Sequence, residues 1–119
     1  MRTAAVLCLV AALPAIAAPR VAAFKADATP AMGEPLIWTM PVSKVEDPLW
    51  AKGVVIEDGA NRYVLCALDW CGVGGSTHLM LRERMARAAK TDVSRVALQS
   101  VHQHAAPYIE GDAMAILRG

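Results

Sequence analysis

Apolar residues recur with two different periods along this chain. Residues 50–57 (WAKGVVIE) and 62–69 (RYVLCALD) are β-rich runs separated by Asp58-Gly59-Ala60-Asn61. That spacing predicts a hairpin with Asp-Gly in its turn. Residues 76–90 (STHLMLRERMARAAK) follow a helical period instead. At ~100° per residue, His78, Leu81, Met85, Ala88 and Ala89 share one side, while Arg84, Arg87 and Lys90 form a solvated face opposite. Ser76 or Thr77 is placed to accept a hydrogen bond from the free N–H groups of the first turn. Residues 95–101 (RVALQSV) are nearly continuous in apolar content, the pattern of a strand buried on both faces.

The centre of the chain therefore reads as strand–helix–strand. A connection of this length makes the strands at 62–69 and 95–101 parallel and the crossover right-handed. The expected fold class is α/β, a mixed sheet in which a β-hairpin is followed by that crossover. In such sheets ligands bind outside the carboxyl ends of the strands. Here that edge carries Asp69, the glycine-rich stretch Trp70–Gly75 read as loop, His78 at the helix start, and His102-Gln103-His104.

Upstream of Trp50 the pattern is different. Met1-Arg2 precede an apolar run at residues 3–13, followed by Ala15-Ile16-Ala17, an A-x-A cleavage site; Val21-Ala22-Ala23 before Phe24 is a second. The run is shorter than the ~20 residues a membrane span requires. Residues 1–23 read as a signal peptide, with the exported protein starting at Ala18 or Phe24. Residues 24–48 hold four of the seven prolines and no helical period. They predict extended, irregular chain, with Trp38 and Met40 as apolar anchors.

Composition narrows the functional classes. The 119 residues fit one small domain, and 55 % hydrophobic content excludes disorder. Twelve basic side chains against 11 acidic ones give a formal charge of +1. This is no nucleic-acid binder built on a basic patch, and no polybasic membrane-surface module. Of the three cysteines, Cys66 and Cys71 follow the leader; their spacing makes neither a disulfide framework nor a paired zinc motif, so both are expected as buried free thiols.

All the histidines, His78, His102 and His104, lie near the expected edge. In extended geometry His102 and His104 point the same way, and neutral imidazoles converging from one short segment suit Zn²⁺. Asp69, one strand over, is placed to accept the distal N–H of a ligating histidine and fix its tautomer. His78 reads as a surface histidine near a helix start.

Three segments together resemble a known family. Ala26-Asp27-Ala28-Thr29-Pro30 is similar to its A-D-I-T-P opening, Val64–Asp69 to its strand ending in L-D, and Ser100–Pro107 (SVHQHAAP) to its T-H-T-H-S-G-P. Order and separations resemble those of the N-terminal part of neutral/alkaline non-lysosomal ceramidases, over essentially all of residues 24–109. The resemblance implies an exported zinc amidase that hydrolyses the N-acyl bond of ceramide. It implies one Zn²⁺ held by His102, with His104 beside the ion and the reacting carbonyl. The catalytic candidates are then His104 and Asp69. Ala105-Ala106 replaces the family's Ser-Gly. The family's other ligands, a His, a Glu and a Tyr, come from further downstream. Residues 24–119 are thus expected to be the N-terminal portion of a larger catalytic domain, partnered by the downstream part of the same enzyme. The implied substrate is a lipid amide, with membrane contact through substrate alone. A related amidase or esterase, and a secreted module that binds metal without turnover, are the other readings of the same residues.

Overall fold

A computed structural model describes residues 18–37 and 40–118; the apolar run at 3–13, the Ala15-Ile16-Ala17 site and Trp38 lie outside the described residues. The elements in chain order are β1 (Arg20–Asp27), β2 (Trp50–Asp58), β3 (Asn61–Leu68), β4 (Gly72–Gly74), α1 (Gly75–Ala89), a 3₁₀ turn (Val93–Arg95), β5 (Val96–Ser100), β6 (Tyr108–Glu110) and α2 (Gly111–Arg118). The main sheet runs β1-β2-β3-β5.

The hairpin forms where the pattern places it. Asp58 pairs with Asn61, leaving Gly59-Ala60 as a two-residue loop. Gly59 takes φ 59°, the sign that mirror-image hairpin turns require and that glycine adopts without steric cost. β3 and β5 are parallel, with Val64 opposite Val96 and Leu68 opposite Ser100, and α1 makes the connection. The fold is α/β with a mixed sheet.

Alternation builds the core. Val64, Cys66 and Leu68 of β3 and Val96 and Leu98 of β5 are buried on one face of the sheet. Leu81, Met85, Ala86 and Ala89 of α1 pack against them, and Phe24 reaches in from β1. The expected helix face needs one correction: Ala88 is exposed and Ala86 is buried. The cause is Arg82, whose guanidinium donates to the carbonyls of Val96 at 2.9 Å and Val93 at 2.8 Å. These bonds draw the Arg82 side of the helix towards β5, and the small Ala86 permits the close approach. Arg84, Arg87 and Lys90 are exposed, as expected.

Other differences have local causes. β5 is covered on one face only, since Ala97 and Gln99 are exposed. β1 was not expected, because Arg20–Ala23 read as leader and Phe24–Asp27 as irregular chain. Its alanine-rich sequence has little strand propensity of its own, and it exists by antiparallel pairing with β2 from Arg20↔Glu57 to Asp27↔Trp50. The rest of the proline-rich segment carries no helix or ladder among the described residues, only the isolated bridge Pro35↔Pro41. Met40 is 67 % exposed and does not anchor it; Val42, at 6 %, does. Its N–H and the N–H of Gly33 close a small loop, onto Glu34 and Val42 carbonyls at 2.9 and 2.8 Å.

The glycine stretch is a short strand rather than loop. Gly72–Gly74 pair in parallel with Tyr108–Glu110, and the Tyr108 ring lies on Gly72 where a Cβ would otherwise sit. Neither Ser76 nor Thr77 caps α1. Gly74 stands at the N-cap without a side-chain bond, and Asp112 at the start of α2 accepts the Ser76 N–H at 3.0 Å instead. A carboxylate there also complements the positive end of the helix dipole.

Candidate metal centre

Where β3 and β5 end, their chains are tied to each other. Val101 N–H donates to Leu68 O at 3.0 Å and His102 N–H to Trp70 O at 3.1 Å. Cys71 N–H donates to Pro107 O at 3.0 Å, and the Gln103 side-chain amide donates to Asp69 O at 2.8 Å. Pro107 and Cys71 are the largest fully buried side chains, and Ala106 is wholly buried. The segment 101–107 is thereby held against 69–71 at the carboxyl edge.

His102 does not continue the strand. Its φ of 63° lies in the left-handed region, which is uncommon for a residue with a Cβ and characteristic of functional sites. This turn, rather than extended alternation, brings the two imidazoles together. Their Nε2 atoms are 3.3 Å apart, with ring centroids 5.1 Å apart and planes at 75°.

The Nδ1 of His102 lies 2.9 Å from the Cys71 carbonyl oxygen. A carbonyl only accepts, so this bond puts the hydrogen on Nδ1 and leaves Nε2 bare in the neutral ring. The tautomer-fixing role expected of Asp69 thus belongs to the Cys71 backbone. Asp69 is turned the other way: its Oδ2 accepts the Trp50 N–H at 3.0 Å and lies 3.9 Å from Lys52 Nζ. Its backbone N–H also donates to Trp50 O at 2.9 Å, so Asp69 fastens the end of β3 to the start of β2.

His78 is half-buried rather than on the surface, and its Nε2 meets the Leu98 carbonyl at 3.1 Å, linking α1 to β5. Among the described residues, the group able to hold a metal ion is Cys71, His102 and His104, whose donor atoms lie within 4.8 Å of one another. Both cysteines are free and buried, as expected. Burial pushes the Cys66 thiol up from its ordinary value, while Cys71 Sγ lies 3.8 Å from His102 Nδ1. Cys71 escaped the sequence reading because its partner is 31 positions away. Its signal was position, three residues beyond Leu68 at the same edge as the histidines.

Beside the motif lies a groove of about 380 Å³, lined by Gln103 and Ala105 and, from the proline-rich segment, by apolar Leu36, Val42, Val45 and Leu49 together with charged Lys44, Glu46 and Asp47. No protein-family model, curated protein or solved structure matches the chain.

Proposed function

We propose that this chain is the N-terminal, zinc-binding portion of an exported amidohydrolase similar to neutral ceramidases, acting on the N-acyl bond of a lipid amide. The supporting observation is the 3.3 Å separation of the His102 and His104 Nε2 atoms at the carboxyl edge of a parallel strand pair. Tetrahedral Zn²⁺ with Zn–N bonds of ~2.0–2.1 Å sets its nitrogen ligands ~3.3 Å apart. The residues present therefore fit the ion in donor type and spacing.

His102 holds the ion through Nε2, with its Nδ1–H steadied by the Cys71 carbonyl. A bound zinc ion supplies Lewis acidity and a more acidic water for attack on an amide carbonyl. His104, whose Nε2 faces that of His102 at 3.3 Å, is the residue positioned beside both the ion and the reacting group. Asp69 supports the site indirectly by fixing the end of β3. The groove along Gln103 and Ala105 offers apolar surface to the substrate. The remaining ligands, on the resemblance, lie outside residues 1–119.

The test compares His102→Ala and His104→Ala in a polypeptide extended to include those ligands. His102→Ala abolishes amide hydrolysis and lowers zinc content; His104→Ala lowers turnover more than zinc content. Retention of both zinc and hydrolysis by His102→Ala refutes the zinc-ligand role of His102, whereas zinc binding without amide hydrolysis by the parent refutes the amidase reading in favour of a binding module.

A further inference from the structure

We infer that the Cys71 thiolate ligates the ion beside the two imidazoles, so that residues 1–119 by themselves bind metal through Cys71, His102 and His104. The inference rests on the metal reading above and adds to it a residue that the histidine motif does not contain.

Three observations carry it. First, one donor atom from each of Cys71, His102 and His104 lies within 4.8 Å of the other two, against the ~3.5 Å that separates sulfur and nitrogen ligands on tetrahedral zinc. Second, Cys71 is held in place from its backbone. Its N–H donates to Pro107 O and its carbonyl meets His102 Nδ1, so sulfur and ring share one short, doubly tied segment. Third, exposure is divided in a useful way. Cys71 is 1 % exposed, whereas His102 and His104 are exposed. The sulfur thus forms the closed side of the cluster and the imidazoles its open side.

One imidazole cannot offer both nitrogens to one ion. His102 offers Nε2, since its Nδ1 is held by the Cys71 carbonyl; the trio closes by a rotation of the thiol, and since the donor atoms already lie within 4.8 Å, the largest approach needed is about 1.3 Å. Cys66 cannot substitute, because it points into the core between β3 and α1 beside Leu68 and Leu98. A sulfur ligand also sets the class of ion. Thiolate with imidazole selects Zn²⁺ or Co²⁺ over Mg²⁺, Ca²⁺ and Mn²⁺, which prefer oxygen.

Titration of the chain with Co²⁺ under reducing conditions tests the assignment. The cobalt complex is expected to show a near-ultraviolet thiolate-to-metal charge-transfer band together with the visible spectrum of a tetrahedral ion. The band persists in Cys66→Ser and vanishes in Cys71→Ser and Cys71→Ala, two variants whose circular dichroism establishes that at least one is folded. Zinc competition is expected to show affinity lowered at least about tenfold by either Cys71 change, since loss of a direct ligand exceeds the ~10–100-fold range's lower limit for an outer partner. Cobalt bound without the band, and with unchanged affinity in the Cys71 variants, overturns the sulfur ligand and leaves the histidine pair standing. No cobalt or zinc binding by the parent chain, matched by His102→Ala, overturns both.

Discussion

The Nε2 atoms of His102 and His104 face each other at 3.3 Å only because His102 takes a φ of 63°. For a residue with a Cβ this backbone state costs ~1–2 kcal/mol, which glycine does not incur. His102→Gly and His102→Ala both remove the imidazole, and both should lose metal affinity. His102→Gly should nevertheless be about 1 kcal/mol more stable than His102→Ala. Urea denaturation of the two variants checks this, and equal midpoints would argue against strain at this position.

Phe24 lies across Gly53 in the β1–β2 ladder, and a Cβ at Gly53 would collide with the Phe24 ring and the Leu65 carbonyl. Gly53→Ala should therefore destabilise the chain by ~1–3 kcal/mol, the range for overpacking. Combining it with Phe24→Ala should relieve the ring clash but not the carbonyl clash. The double variant is expected to lose less than the sum of the two single losses, measured as unfolding free energies.

On the proposed export, the cleavage position bears on β1. Cleavage before Phe24 would remove Arg20–Ala23, the strand residues opposite Glu57–Val54, and the Arg20–Glu57 ion pair with them. Cleavage before Ala18 keeps the strand whole. Secreted material is expected to begin at Ala18, and a version starting at Phe24 should melt at a lower temperature. Mass spectrometry and thermal unfolding of both versions decide the matter.

Acid should weaken the fold in a definite direction. Hydrogen bonds from Arg20 and then Arg62 hold the Glu57 carboxyl below its ordinary range. The Thr29 hydroxyl and N–H do the same for Asp27, and those of Ser94 for Asp92. With folded values depressed, the unfolded chain binds more protons as pH falls, so stability rises with pH across that window. These contributions are complete above the unfolded carboxylate range near ~4 and fade as pH drops through the folded values. Urea midpoints should be flat from pH ~7 to ~5 and decline below ~4, and Glu57→Gln should make the decline shallower.

Cys66 should be unreactive in the folded chain. Burial raises the Cys66 thiol and packs it at 3 % exposure, so little reactive thiolate is present at neutral pH. Alkylation of Cys66 by iodoacetamide should follow global unfolding, with a rate that accelerates through the urea transition. Fast labelling of the native chain would place Cys66 outside the core.

The central strand–helix–strand unit was legible because its signals are local. Alternation at Val64, Cys66 and Leu68 and a helical stripe containing Leu81 and Met85 need no knowledge of partners. The parts that escaped depend on contacts distant in sequence. β1 is a strand through its pairing with Val54–Glu57, β4 through the Tyr108 ring over Gly72, and the start of α1 is capped from Asp112. At the candidate metal centre, the His102–His104 pair was legible as a pair, but the left-handed turn that joins it, the turn of Asp69 towards Trp50 and the approach of Cys71 were not. The last two depend on how segment 101–107 docks against residues 69–71.

That docking has a consequence for the order of events during synthesis. A chain emerging amino end first can zip β2 to β3 at once, because their two-residue turn is already in hand. Cys71 then waits through 31 further residues for His102, and Ser76 waits through 36 for Asp112. Parallel pairing of β3 with β5 closes a long loop and is slow compared with a hairpin. A nascent chain consequently passes through an interval in which the thiol is present and the imidazoles are not. On the proposed metal reading, capture of an ion by the complete cluster would come among the last steps of folding.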